Sequence, residues 1–157
     1  MAGSTNPPEP ITLDTADIDD THVASCLPQM NFGEAKQVMI DGSNTCRYDT
    51  LIDVPRLELP AGALVSKATL TLTCSNAGAA ITVSYADEAW KELMVRWNTR
   101  PEVGTTIGTI TCAEVGTVTI DLTAAFKAWL SGDHATNGIY LRTEATDGTD
   151  FASSEAE

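Results

Sequence analysis

Apolar residues alternate with threonine through residues 66–74. Ala68, Leu70, Leu72 and Cys74 fall on one face, and Thr69, Thr71 and Thr73 on the other. A period of two with a threonine-rich outer face predicts a half-buried strand. The alternation returns at Ile81, Val83 and Tyr85 after the turn Asn76-Ala77-Gly78, at Val118, Ile120 and Leu122 after Gly116, and at Ile139 and Leu141 after Asn137-Gly138. Short strands at this spacing, rich in β-branched threonine, predict an antiparallel sandwich or barrel. The period becomes helical once, where Phe126, Trp129 and Leu130 stand at i, i+3 and i+4. Thr123 is placed to cap the N-terminus, and Gly132 lies just past the end. The expectation is one short helix, about 123–131, plugging an end of the sandwich with Trp129 in the core. Residues 1–20 differ. Pro7, Pro8 and Pro10 exclude helix, and Ile11 and Leu13 alternate only weakly with acidic positions. The expected organisation is an extended arm over 1–20 and a single β-sandwich domain over 21–157.

A length of 157 residues suits one such domain. The formal net charge of −13, from 9 basic and 22 acidic residues, changes the choice of partners. It opposes binding to nucleic acid, which needs clustered Lys and Arg, and adsorption to an anionic membrane. No apolar run approaches the ~20 residues of a membrane span. The N-terminus carries neither the basic nor the apolar region of a secretory signal, so the expected setting is a virion or an extracellular surface reached by another route.

Candidate chemistry is sparse. His22 and His134 are far apart, and no nucleophile elbow, zincin motif or phosphate loop occurs. The chain is therefore expected not to be an enzyme and to require no cofactor. Hard oxygen ligands could hold a structural calcium ion at Asp17, Asp19 and Asp20, or at Asp147 and Asp150 around Gly148. Cys26, Cys46, Cys74 and Cys112 include no C-x-x-C pair. Buried free thiols are expected, with at least one disulfide as the alternative. A glycan would need flat aromatic faces, for which Tyr48, Tyr85, Trp90, Trp97 and Tyr140 are candidates, although each is also a natural core residue. An acidic glycan would further need basic groups, and Lys36, Arg47, Arg56, Lys67, Arg96 and Arg100 are the candidates.

Several motifs recur in a fixed order: Asp20-Thr21-His22-Val23, Asn31-Phe32-Gly33, Leu59-Pro60-Ala61-Gly62-Ala63, Trp90-Lys91-Glu92 with Val95-Arg96-Trp97-Asn98 and Pro101, Asp121-Leu122-Thr123, Trp129-Leu130-Ser131-Gly132, Asn137-Gly138, and Phe151-Ala152-Ser153-Ser154-Glu155-Ala156. Together they resemble the DNRLRE-type β-sandwich domain, related to disaggregatase-associated modules and to a carbohydrate-binding module family. The resemblance implies a jelly-roll-like sandwich without catalytic activity. It also implies that a strand is missing after Ala156, an open place for the arm around Ile11 and Leu13 or for a neighbouring subunit. Two functions follow. One is a structural or adhesive surface module, such as a virion decoration or tail-accessory protein, assembling with copies of itself or other subunits. The alternative is a carbohydrate-binding module for acidic polysaccharide from a larger secreted enzyme.

Overall fold

Nine strands, one α-helix and a single 3-10 turn (Trp97–Thr99) make up the described part of the computed structural model, which covers Thr12 and residues 18–53 and 64–156. The strands are β1 (Asp19–Ala24), β2 (Gln37–Ile40), β3 (Tyr48–Asp53), β4 (Thr69–Asn76), β5 (Ile81–Ala86), β6 (Val103–Ile110), β7 (Gly116–Asp121), β8 (Ile139–Arg142) and β9 (Thr149–Ala152); α1 (Thr123–Ser131) lies between β7 and β8. They form two antiparallel sheets, ordered β1-β3-β8-β5-β6 and β2-β9-β4-β7. The orders β2-β9-β4-β7 and β3-β8-β5-β6 are those of a jelly roll, with β1 added at the edge beside β3. The expected all-β sandwich with one short helix is therefore the observed architecture. The ladder begins at Asp19, and Ile18 already packs against the core, so the last residues assigned to the arm belong to the sandwich. Ile11, Leu13, Asp17, Arg56 and the 59–63 turn lie outside the described residues.

The main core sits between the sheets, where Leu70, Leu72 and Cys74 of β4 meet Ile81, Val83 and Tyr85 of β5 and Ile139 and Leu141 of β8. The threonines of β4 face solvent, as the alternation predicted. A second, smaller core covers the opposite face of the five-stranded sheet. Val23, Leu51, Ala86 and Tyr140 pack there beneath Val95, Trp90, Trp97 and Val103, carried mainly by the excursion between β5 and β6. This second core explains why β3, β5 and β8 are buried on both faces and do not alternate cleanly.

Helix α1 closes one end with Ala125 and Trp129, and Trp129 meets Phe126 and Tyr85 edge-on. Two details of the expected helix change. Leu130 is 46% exposed, because it lies on the far side of the cylinder from Ala125. Thr123 is the first helical residue and Leu122 the N-cap; the Asp121 carboxylate accepts bonds from the Thr123 amide at 2.9 Å and hydroxyl at 2.7 Å. Gly132 takes the left-handed conformation at the C-cap, with φ of 85°.

The expectation of free thiols is corrected. Cys26 bonds to Cys46 and Cys74 to Cys112, and no cysteine is left free. The first bridge clips the ends of the adjacent β1 and β3. The second joins β4 of one sheet to the segment after β6 of the other. Cys112 pairs across the sandwich, a relation that period-two patterning does not encode.

Candidate functional site

The outer face of the five-stranded sheet gathers basic groups. Register places Tyr140 of β8 between Leu51 of β3 and Ser84 of β5, and Arg142 opposite Thr82. Side chains at these positions share a face because opposed residues on antiparallel strands do. Tyr140 is buried, and its hydroxyl donates to Asp49 Oδ2 at 2.6 Å. Burial first, and then the Asp49 carboxylate, push the Tyr140 phenol far upward, so it stays a protonated donor.

Three arginines belong to this face. Arg47, just before β3, donates from Nε to Asp49 Oδ1 at 3.2 Å, from Nη2 to the Thr143 carbonyl at 2.9 Å, and from both Nη atoms to the Glu144 carboxylate at 3.2 and 3.1 Å. Arg142 Nη2 reaches the same Glu144 Oε1 at 2.9 Å. Arg100 is carried by the β5–β6 excursion, whose Trp97 packs on the cluster that holds Tyr140. Its guanidinium lies 3.8 Å from the Trp97 ring centroid and donates to the Trp97 carbonyl at 2.7 Å. Hydrogen bonding from Arg47 holds the exposed Glu144 carboxyl below the usual range.

The excursion that carries Trp97 and Arg100 is pinned from two sides. Asn31 Nδ2 donates to the carbonyls of Glu92 and Val95, both at 2.8 Å, while Asn31 Oδ1 accepts from the Gly33 amide at 3.0 Å. A Cβ at Gly33 would collide with the Glu92 carbonyl, which accounts for glycine in Asn31-Phe32-Gly33. Trp90 Nε1 donates to the Asn137 carbonyl at 2.7 Å, so this tryptophan serves as a corner. Tyr85 is a core residue stacked on His134 at 3.8 Å between centroids, and Tyr48 meets His22 edge-on at 5.5 Å.

The sequence-derived basic candidates divide accordingly. Arg47 meets Arg142 at Glu144, and Arg100 sits over Trp97. Arg96 shares the excursion and donates to Gln29 Oε1 at 3.1 Å. Lys36 and Lys67 are exposed beside the four-stranded sheet, Lys36 next to Ser153 and Lys67 near Asp121, and do not join the arginines. Arg142 was not among the candidates. It ends a four-residue strand, and only the β5–β8 pairing, Thr82↔Arg142, reveals its position.

Among the described residues no group of three or more His, Cys, Asp or Glu side chains is placed to hold a metal ion. Asp19 stands opposite Asp53 at a ladder end, and Asp150 lies near Asp41 instead. Asp147 contributes its main-chain carbonyl to the Ala79 amide. His22 is buried against Phe32, with ring centroids 4.4 Å apart, and burial lowers its pKa to about 4. Cys26 is tied up in its disulfide, so the two form no nucleophile–base pair.

The model of carbohydrate-binding module family 96 matches residues 12–157. No curated protein matches the chain. The expected relation to carbohydrate-binding modules therefore rests on a family match, whereas the DNRLRE-type name is finer than that match carries.

Proposed function

The chain belongs to carbohydrate-binding module family 96, and from that premise we propose that it is a non-catalytic module that holds an acidic, uronate-type polysaccharide on the outer face of its five-stranded sheet. One observation carries the reading. In a chain with a net charge of −13, Arg47 and Arg142 meet at Glu144 beside the Asp49–Tyr140 pair, and Arg100 sits over Trp97, which packs on the same cluster as Tyr140. Guanidinium forks match carboxylates in a two-pronged geometry. Glu144 occupies the place of a ligand carboxylate. Its side chain is 80% exposed and bonded to two guanidiniums, so an incoming uronate can displace it and keep the same donors. The family favours this reading over a virion decoration or tail-accessory role. Two disulfides suit an oxidising, extracellular setting. Among the described residues no helix is long and apolar enough to cross a membrane.

Affinity electrophoresis in gels containing alginate, pectate or a neutral glucan tests the reading. Retardation is expected in the acidic polymers only and should weaken as salt rises. Arg142→Ala and Arg100→Ala should each reduce affinity roughly tenfold or more, the scale of a lost charge-assisted bond. Lys36→Ala and Lys67→Ala should leave it unchanged, and Glu144→Gln should strengthen it. Equal retardation by the neutral glucan, with the arginine variants behaving as wild type, would sink the proposal.

A further inference from the structure

Two loops zip together at the edge of the arginine face. Residues 25–33, between β1 and β2, are bonded to Arg47 at one end and to the β5–β6 excursion at the other. The Ser25 amide donates to the Arg47 carbonyl at 2.9 Å, the Arg47 amide donates to Ser25 Oγ at 2.7 Å, and Cys26 is bridged to Cys46. Further along, the Asn98 amide donates to the Pro28 carbonyl at 3.2 Å, Arg96 to Gln29, and Asn31 to Glu92 and Val95. Leu93 lies over Gly33, with Cδ2 2.9 Å from where a Cβ would stand. The loops thus bond to one another, yet their large apolar side chains stay exposed. Leu27, Met30, Leu93 and Met94 are 41–66% exposed and belong to neither core. They are four of the seven exposed large hydrophobic residues among the described ones. Apolar side chains gathered on a surface that neither core uses mark a place where something binds, and methionine adapts to irregular apolar shapes.

We propose that this surface takes the acyl groups of an O-acetylated uronate polysaccharide, a refinement that rests on the arginine face being the site for that polymer. The loops run from Arg47 to the excursion that carries Arg96, Trp97 and Arg100, so a polymer whose carboxylates meet the arginines lies alongside them. Bare sugar hydroxyls laid on aliphatic and thioether groups would lose their bonds to water without replacement. An O-acetyl ester puts a methyl-ended group in place of a hydroxyl and leaves the carboxylate charged for the guanidiniums. A methyl ester consumes that carboxylate and forfeits the arginines. A second copy of the chain is a poor occupant, since two molecules of net charge −13 repel each other. Asn31 holds the two loops together before anything binds, which lowers the cost of ordering them.

Retardation in gels of alginate, and of the same alginate after chemical O-acetylation at equal chain length and carboxylate content, tests this. The full chain should bind the acetylated polymer about fourfold more tightly or better, the gain from one buried methyl group. Met30→Ser with Met94→Ser should bring the two affinities together, while thermal unfolding stays as in wild type because neither side chain belongs to a core. Arg142→Ala should weaken binding to both polymers and keep their ratio. Equal affinity of the wild type for the two polymers overturns the acyl assignment and leaves the arginine reading standing. Retention of the preference by the double methionine variant overturns it as well. Binding to neither polymer overturns both readings. Self-association in light scattering that the methionine substitutions abolish would give the surface to a second copy and overturn the assignment too.

Discussion

Burial disfavours the charged forms of both Asp53 and His22, and the two oppose each other in acid. Desolvation first, and then the facing Asp19, raise Asp53 from 3.8 to about 6. The folded state therefore binds a proton that the unfolded state has lost, and this contribution to stability disappears as pH rises through about 6. His22 has the reverse sign. Burial lowers it to about 4, against only a weak opposing effect of the Gln37 main chain, so its contribution is complete above about 6.5 and is lost as pH falls toward 4. Asp53→Asn should stabilise the protein at pH 7 by on the order of 1 kcal/mol, allowing for solvent screening of a partly exposed carboxyl. It should give no gain at pH 4, and it should unmask the His22 slope between pH 6.5 and 4. Urea unfolding at several pH values measures this. Neither group signalled its state in the sequence: Asp53 is set by its burial and then by Asp19 opposite it on another strand, and His22 by a burial to which the stacked Phe32 ring contributes.

Among the elements, the β5–β6 excursion depends on a residue distant in sequence. Asn31 Nδ2 donates to the carbonyls of both Glu92 and Val95. Asn31→Ala should cost about 1–3 kcal/mol through those two abandoned acceptors. It should also weaken uronate binding while every arginine remains, because Trp97 and Arg100 lose their anchorage. Binding compared with thermal unfolding separates the effects; a variant with wild-type affinity would show that the excursion needs no clamp. The same element explains what patterning could and could not reveal. β4 was legible because one face meets the core and the other water. β5 and β8 were only half legible, since Ser84, Ala86 and Tyr140 are buried beneath the excursion. β6, the edge strand Val103–Ile110, has no fully buried residue and carries Gly104 and Gly108, so it gives no alternating signal. The helix was legible from its period and from Gly132, but Leu130 showed that three apolar residues on a surface helix need not all reach the core.

For the whole molecule, covalent and noncovalent links divide the work between layers. The arginine face belongs to the five-stranded sheet, and the main core and the Cys74–Cys112 bridge join that sheet to the other. The arginines could be read as residues, but their convergence depends on β3 pairing with β8 across some ninety positions of sequence, as the Asp49–Tyr140 bond shows. The disulfides were equally hidden, because four cysteines allow three pairings and sequence gives no distances. Their loops span sequence separations of 20 and 38 residues. Restricting the unfolded chain by loops of that size is worth about 3–4 kcal/mol each in the chain-entropy account. Cys74→Ser with Cys112→Ser should lower stability by a few kcal/mol, since it frees the two sheets in the unfolded chain. Cys26→Ser with Cys46→Ser should cost slightly less, for its shorter loop. Uronate affinity at a temperature where the protein stays folded should survive removal of the inter-sheet bridge, because every arginine of the face is placed by the five-stranded sheet and its excursion. It should fall more on loss of the Cys26–Cys46 bridge, which fixes the segment leading into Arg47. Denaturant unfolding of the two double variants, paired with polymer binding, checks both orders. If the inter-sheet pair alone abolished binding in folded protein, the face would depend on the second sheet and its location on one layer would be wrong.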